Sequence, residues 1–279
     1  MSRSLRAQFY ELKVKTDPSL HDRVLLAESA DNWYRSQVEF QDLLELEEHI
    51  AGLSGCVLLF VESPGAIAEF GAFSQMKLIQ EKLIVVVEDS YYGQQSFIRN
   101  GLIERTMRDR PNTLLTYSWL SAPNTDGVRI IDTAYVVDTL NEVEQKVRLF
   151  LEQRPKTVRF SRDDLGHKLL LIADLIKLSV ILIQTEVNEL MDRLGVIMRP
   201  TDLKRYLYLL ERLDLVCKKR YGNTDYFVAG AHSNDYIHYA PRTSTDRARL
   251  RLLMREEFPV KGDKKKALDS FERRGGVGA

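Results

Sequence analysis

Residues 61–74 read VESPGAIAEFGAFS, and this stretch decides the fold. An apolar run, GCVLLF, precedes it at 55–60, and a second, KLIVVV, follows it at 82–87. Two nearly continuous apolar runs joined by a helix-compatible segment predict a βαβ unit. Strands of that kind belong to a parallel sheet covered on both faces. In an open parallel sheet, ligands bind beyond the carboxyl ends of the strands. Ser63, Pro64 and Gly65 fall at that place, and Gly65 has no side chain to keep a ligand off the backbone. Glu69 then falls in the first turn of the next helix, expected over 66–81. The positive end of that helix favours its ionised form.

Outward from this unit the pattern alternates. Leu5, Phe9 and Leu12 recur at helical spacing, so 3–15 reads as a helix. Residues 22–29, DRVLLAES, read as a short buried strand, and 39–53 as an amphipathic helix ending near Gly52. TLLTYSWL and VRIIDTAYVV offer further strands, and 138–152 a closing helix. From Arg154 the chain is polar and non-periodic, as a linker would be. Residues 165–185 then read as one long apolar helix, followed by a shorter one ended by Gly195 and a third opened by Pro200. Two β-rich runs flank Gly222-Asn223, a hairpin signal. Three helices and a two-stranded wing are the order of a winged helix-turn-helix. TSTDRARLRLLMREEF reads as one more helix capped by Ser or Thr, and the last basic stretch as a flexible tail. The expected domains are therefore 1–153, a winged helix over 165–240, a helix over 241–260 and a tail over 261–279.

The 279 residues carry 40 basic and 40 acidic side chains. The balance hides an asymmetry: residues 1–150 have a net charge of −7 and residues 151–279 of +7. Such a split suggests that the second half meets a polyanion. No apolar stretch approaches the ~20 residues of a membrane helix, and the start of the chain lacks the apolar region of a secretory signal. Cys56 and Cys217 sit in apolar segments and read as free buried thiols, which fits the cytoplasm. The five histidines show no metal spacing, and no Gly-rich dinucleotide loop, P-loop or Ser-His-Asp pattern is present.

A carboxylate at a pocket rim can attack an electrophilic sugar carbon or stabilise an oxocarbenium ion. The plainer alternative is that Glu69 only caps its helix. The residues SPGAIAEFGAFS resemble the signature of the nucleoside 2-deoxyribosyltransferase-like superfamily, in which a Pro/Gly-containing loop precedes a helix with a Glu-aliphatic/aromatic-Gly-Ala element whose Glu is the nucleophile. Here that element is Glu69, Phe70, Gly71 and Ala72. ESPG at 62–65, SFI with Gly101, and TDRARLRLLM near the end are similar to one branch, the toxic effectors of retrons.

That resemblance implies an α/β fold with a Rossmann-like parallel sheet, followed by a winged helix-turn-helix. It implies an N-glycosidase in which Glu69 displaces a base from NAD or another nucleotide and water accepts the sugar. No cofactor is implied, since NAD is the substrate. The implied partner is the retron reverse transcriptase with its noncoding RNA and msDNA, in a higher-order assembly and away from membranes. The superfamily's usual opening strand and Gly-rich loop have no counterpart before the first helix, which implies an unusual start or a partner's contribution. Ser63 stands where transferases often carry Asp. Ser63, Pro64, Gly65 and Glu28 are the expected substrate-binding residues, with Glu28 also readable as a solvated loop residue. Lys204, Arg205, Lys218, Lys219 and Arg220 are placed to grip phosphates from the third helix and the wing, or to contact protein. Two other readings stay open: a ligand-sensing winged-helix transcription regulator and a nucleotide phosphoribohydrolase.

Overall fold

A computed structural model describes residues 4–29, 33, 40, 42–92, 96–122, 125, 129–239 and 246–274. The chain forms two compact units. One comprises residues 1–30 and 54–158, the other residues 31–53 and 159–279.

The first unit is built on a mixed α/β plan around a three-stranded parallel sheet ordered β1-β2-β3, compatible with a Rossmann-like fold. Its strands are β1 (Val57–Val61), β2 (Leu83–Glu88) and β3 (Leu114–Tyr117). Val57 to Val61 pair with Leu83 to Val87, and Val85 to Glu88 pair with Leu114 to Tyr117. All six residues of the central strand β2 are buried, which is why the first five, Leu83–Val87, form an unbroken apolar run rather than an alternating one. Helix α1 (Leu5–Phe9) continues through a π-helical turn, Tyr10–Val14. Helix α3 (Pro64–Phe73) links β1 to β2, and α4 (Thr133–Glu152) closes the unit. Leu5, Phe9, Phe60, Val86, Trp119 and Leu140 share one core.

Several expectations change here. Residues 22–29 are not a strand: Val24 and Leu25 are 39% and 38% exposed, and the chain turns into a helix at Ala27. VRIIDTAYVV is not a strand either. Its described part holds one bridge, Leu120 to Ile131, after which Asp132 caps α4 by accepting from the Ala134 N–H. Val136, one of the apolar residues that suggested a strand, instead lies at helical spacing from Leu140, and both are buried. The helix expected over 66–81 breaks at Gln75-Met76 and resumes as the single turn Lys77–Gln80.

The second unit includes α2 (Leu43–Leu53), which packs on α5 (Leu165–Ser179). The approach is close because both helices offer a glycine. A Cβ on Gly166 would lie 2.2 Å from the Gly52 carbonyl oxygen. The sequence reading groups 39–53 with the N-terminal half, yet this packing places the segment with the C-terminal residues. Most of the charge asymmetry goes with it. The first unit carries 16 basic and 17 acidic residues, the second 24 and 23.

Helix α5 is shorter than the apolar run, because Val180 adopts a left-handed φ of 73°. Ile181 and Leu182 are fully buried all the same, and Leu182 exchanges two backbone hydrogen bonds with Phe227, at 2.8 and 3.0 Å. Helices α6 (Gln184–Arg193) and α7 (Pro200–Arg212) follow, then the antiparallel pair β4 (Val216–Tyr221) and β5 (Thr224–Ala229). Helix α8 (Arg247–Glu257) is capped by Asp246. Thr243, Ser244 and Thr245, the caps expected from sequence, lie outside the described residues. The expected flexible tail is helical over α9 (Asp263–Arg274). Its Ala267 and Phe271 are buried against Ile181 and Tyr226, an apolar spacing that the surrounding charges masked.

Candidate active site

Helix α3 starts because Ser63 is extended and its hydroxyl accepts the Ala66 N–H at 3.1 Å, while Pro64 fixes the first helical φ. Such a cap contributes about 1 kcal/mol. Phe70 and Phe73 turn into the core. Glu69 therefore lies in the second turn, not the first, and the cap is Ser63. The reading of Glu69 as a helix cap is excluded. So is the dipole argument, since the free N–H groups belong to the first turn. Glu69 is half-buried and, among the described residues, accepts no hydrogen bond. Its pKa is raised by desolvation, partly opposed by Arg6 and reinforced by Glu28. Gly65 is exposed, and a Cβ there would meet only the Ser63 hydroxyl, at 3.7 Å.

Arg6 comes from α1. Its guanidinium grips Glu28 through two nitrogens, one of them at 3.0 Å. This pairing holds the Glu28 carboxyl below its ordinary range, against the opposing effect of burial. Glu28 is thus a largely solvated residue, 57% exposed, that is ion-paired to Arg6 in the electrostatic neighbourhood of Glu69. Arg6 is itself positioned by Glu62, whose carboxylate accepts the Ser4 hydroxyl at 2.7 Å and the Leu5 and Arg6 N–H groups at 2.5 and 3.2 Å.

Glu62 also lines a cavity of about 260 Å³ beyond the carboxyl ends of the strands. Glu88, Ser90, Tyr91, Trp119 and Arg129 complete its polar and aromatic wall, and Glu69 is not among the lining residues. Glu88 is only 2% exposed. Arg129 pairs with it at 3.2 Å, and the Ser90 N–H donates to it at 3.0 Å. Arg129 also donates to the Ser121 and Leu120 carbonyls, so it is locked in place. The Tyr91 phenol is pushed up by burial and then by Glu88.

The structure brings Glu69 and Glu28 together and sets Ser63, Pro64 and Gly65 at the start of α3. Arg6, Glu62, Glu88 and Arg129 were not named as site residues from sequence. Glu88 carried a readable signal, because it ends β2 just as Glu62 follows β1. Arg6 carried none.

The basic residues of the second unit are largely engaged. Arg205 pairs with Glu45 of α2 at 2.7 Å. Lys218, Lys219 and Arg220 occupy consecutive strand positions and so cannot share one face. Lys218 pairs with Asp225 at 2.9 Å and Arg220 bonds Asn223, while Lys219 lies over the Phe271 ring at 5.2 Å. Lys204 is exposed on α7. The Cys56 thiol is pushed up to about 12 by burial, as for an inert structural thiol. Among the described residues no group of three His, Cys, Asp or Glu side chains is placed to hold a metal ion, and no helix is long and apolar enough to cross a membrane.

A family model described as STM3845 retron effector protein matches residues 2–218. The chain belongs to this retron effector family. Two Escherichia coli proteins are similar to the effector. The Retron Ec86 putative ribosyltransferase/DNA-binding protein is 33% identical over 76 residues, 27% of this chain and 25% of that protein. The Retron Ec73 putative ribosyltransferase/DNA-binding protein is 25% identical over 129 residues, 44% of this chain and 41% of that protein. The matched stretches thus span less than half the length of either relative.

Proposed function

We propose that this retron effector is the toxic arm of an antiphage system and acts in the cytoplasm as an N-glycosidase on NAD or a related nucleotide. One observation carries the reading: Glu69 is half-buried beside the Arg6–Glu28 pair, with no hydrogen bond to it among the described residues. A carboxylate that serves only structure is normally paired or solvated. In the proposed reaction the Glu69 carboxylate attacks the anomeric carbon and the N-glycosidic bond breaks. The base departs with the bonding electrons, and water then hydrolyses the glycosyl ester. Nicotinamide is cationic while attached in NAD, so it leaves as a neutral molecule without an acid. Ser63, Pro64 and Gly65 border the substrate, and the cavity lined by Glu62 and Glu88 offers acceptors for sugar hydroxyls.

The relatives' names, which join a ribosyltransferase to a DNA-binding function, support the same division here. The second unit is read as a winged helix-turn-helix that contacts the retron reverse transcriptase and its msDNA. Lys204, Lys218 and Arg220 are the exposed basic residues offered to that partner. The test is to incubate the purified effector with NAD and with nucleotides and to identify the products by mass, for the wild type and for Glu69→Gln. Release of free base by the wild type alone supports the proposal. Equal release by both proteins removes Glu69 from the chemistry.

A further inference from the structure

Helix α8 is clamped at both ends. Near its start, Arg247 pairs with Asp174, which is fully buried and also accepts the Tyr239 hydroxyl at 2.8 Å. At its end, Glu257 bonds Arg193 of α6 at 2.7 Å. Leu250 and Met254 lie half-buried on the same side as Arg247, and Phe258 beyond them is buried. The rotation of α8 is therefore fixed, and its opposite side faces outward. That side presents Arg249, Leu252, Leu253 and Glu256, the i, i+3, i+4, i+7 stripe of a helix built to pack against another helix. Leu252 and Leu253 are 60% and 49% exposed. Arg249 and Glu256 are exposed and, among the described residues, have no ion-pair partner.

The stripe is self-complementary. Arg249 stands three residues before the leucine pair and Glu256 three residues after it. An antiparallel copy of the same helix sets Arg249 against Glu256 twice, with the leucines meeting at the centre. The two charges are separated by about 10.5 Å along either helix, so both pairs form in register. A parallel copy would set like charges against each other. A nucleic-acid backbone fits less well, because Glu256 would face phosphate and the leucines would gain nothing from it.

We propose that the outer face of α8 binds the same face of a second copy of this chain, antiparallel about a two-fold axis passing between Leu252 and Leu253. The contact is isologous, as most two-fold interfaces are. One 11-residue helix buries less than the roughly 1,200 Å² of a stable interface. The association is therefore weak and concentration-dependent, suited to an assembly with further contacts.

Sedimentation equilibrium of the full chain over a range of concentrations tests it, on the wild type, Arg249→Glu, Glu256→Arg and the double exchange. All four side chains of the stripe are exposed, so unchanged thermal melting confirms that each variant folds. The wild type should show a monomer–dimer equilibrium. Each single exchange should weaken it by about tenfold or more, and the double exchange should restore it to within about threefold. A wild type that stays monomeric throughout overturns the proposal, as does a double exchange no better than the singles. Duplex DNA binding that Glu256→Arg strengthens and Arg249→Glu weakens, with no dimer, also overturns it and makes the face a phosphate contact.

Discussion

The carboxylate of Glu62 accepts the backbone N–H of Arg6 at 3.2 Å, tying the first helix to the end of the first strand. The Leu5 N–H and Ser4 hydroxyl join it, so one carboxylate satisfies three donors at the start of α1. This contact brings the Arg6 guanidinium to Glu28 and into the electrostatic reach of Glu69. The site therefore depends on the first few residues of the chain as much as on the motif.

Glu69→Gln should abolish base release while leaving the fold intact. It should also raise thermal stability at neutral pH, because an ionised, half-buried carboxylate lacking a hydrogen bond is replaced by a neutral isostere. The sign follows from the raised folded-state pKa. The native state holds the proton more tightly than the unfolded chain, so the wild type gains stability as pH falls through that pKa. The advantage of the Gln variant should then fade in acid. Thermal melts of both proteins across pH check this; a variant less stable at pH 7 would contradict it.

Arg6→Met and Glu28→Gln should move the acid limb of the pH–activity profile in opposite directions. Arg6 lowers the Glu69 pKa, so losing it shifts the limb to higher pH. Glu28 raises the Glu69 pKa and occupies Arg6, so neutralising it shifts the limb to lower pH. Profiles of kcat/KM for the three proteins decide the matter, and shifts of the same sign would contradict the arrangement.

Arg129→Met should destabilise the first unit by about 2–3 kcal/mol, because it strands the buried Glu88 carboxylate. The expected cost is below that of a fully buried pair, since the Arg129 side chain is 32% exposed. Denaturant unfolding measures it, and a change under about 0.5 kcal/mol would mean that water replaces the guanidinium.

Much of the parallel sheet was legible because apolar runs of strand length punctuated by Pro-Gly leave few alternatives. The hand-over from strand to helix was legible for the same reason, but its start was read two residues late, at 66 rather than Pro64, because the Ser63 cap and the Pro64 first position were taken for loop. What was not legible depends on distant partners. Residues 22–29 have a strand's composition, yet Val24 and Leu25 stay exposed, and local pattern cannot report which apolar residues find a core. The place of α2 rests on two glycines more than a hundred residues apart. The charge asymmetry misled because Glu45 and its acidic neighbours pack with the basic half, where Glu45 pairs with Arg205.

Gly166→Ala and Gly52→Ala should behave differently, although both add one methyl group to the same contact. At Gly166 the Cβ would sit 2.2 Å from backbone oxygen, so the helices must separate, at a cost of about 2–3 kcal/mol. At Gly52 the nearest neighbours lie at 3.4 Å, and the helix propensity gained offsets the tighter contact to within about 1 kcal/mol. Equal effects on chemical denaturation would place α2 elsewhere.

The most direct test of the account is product analysis by mass after incubating the effector with NAD, alone and with the retron reverse transcriptase and msDNA. Free base and the matching ribosyl product, nicotinamide in the case of NAD, are expected from the wild type with NAD or another nucleotide in at least one of these conditions, and none from Glu69→Gln in either. Absence of base release from NAD and from other nucleotides in both conditions, or undiminished release by Glu69→Gln, would contradict it.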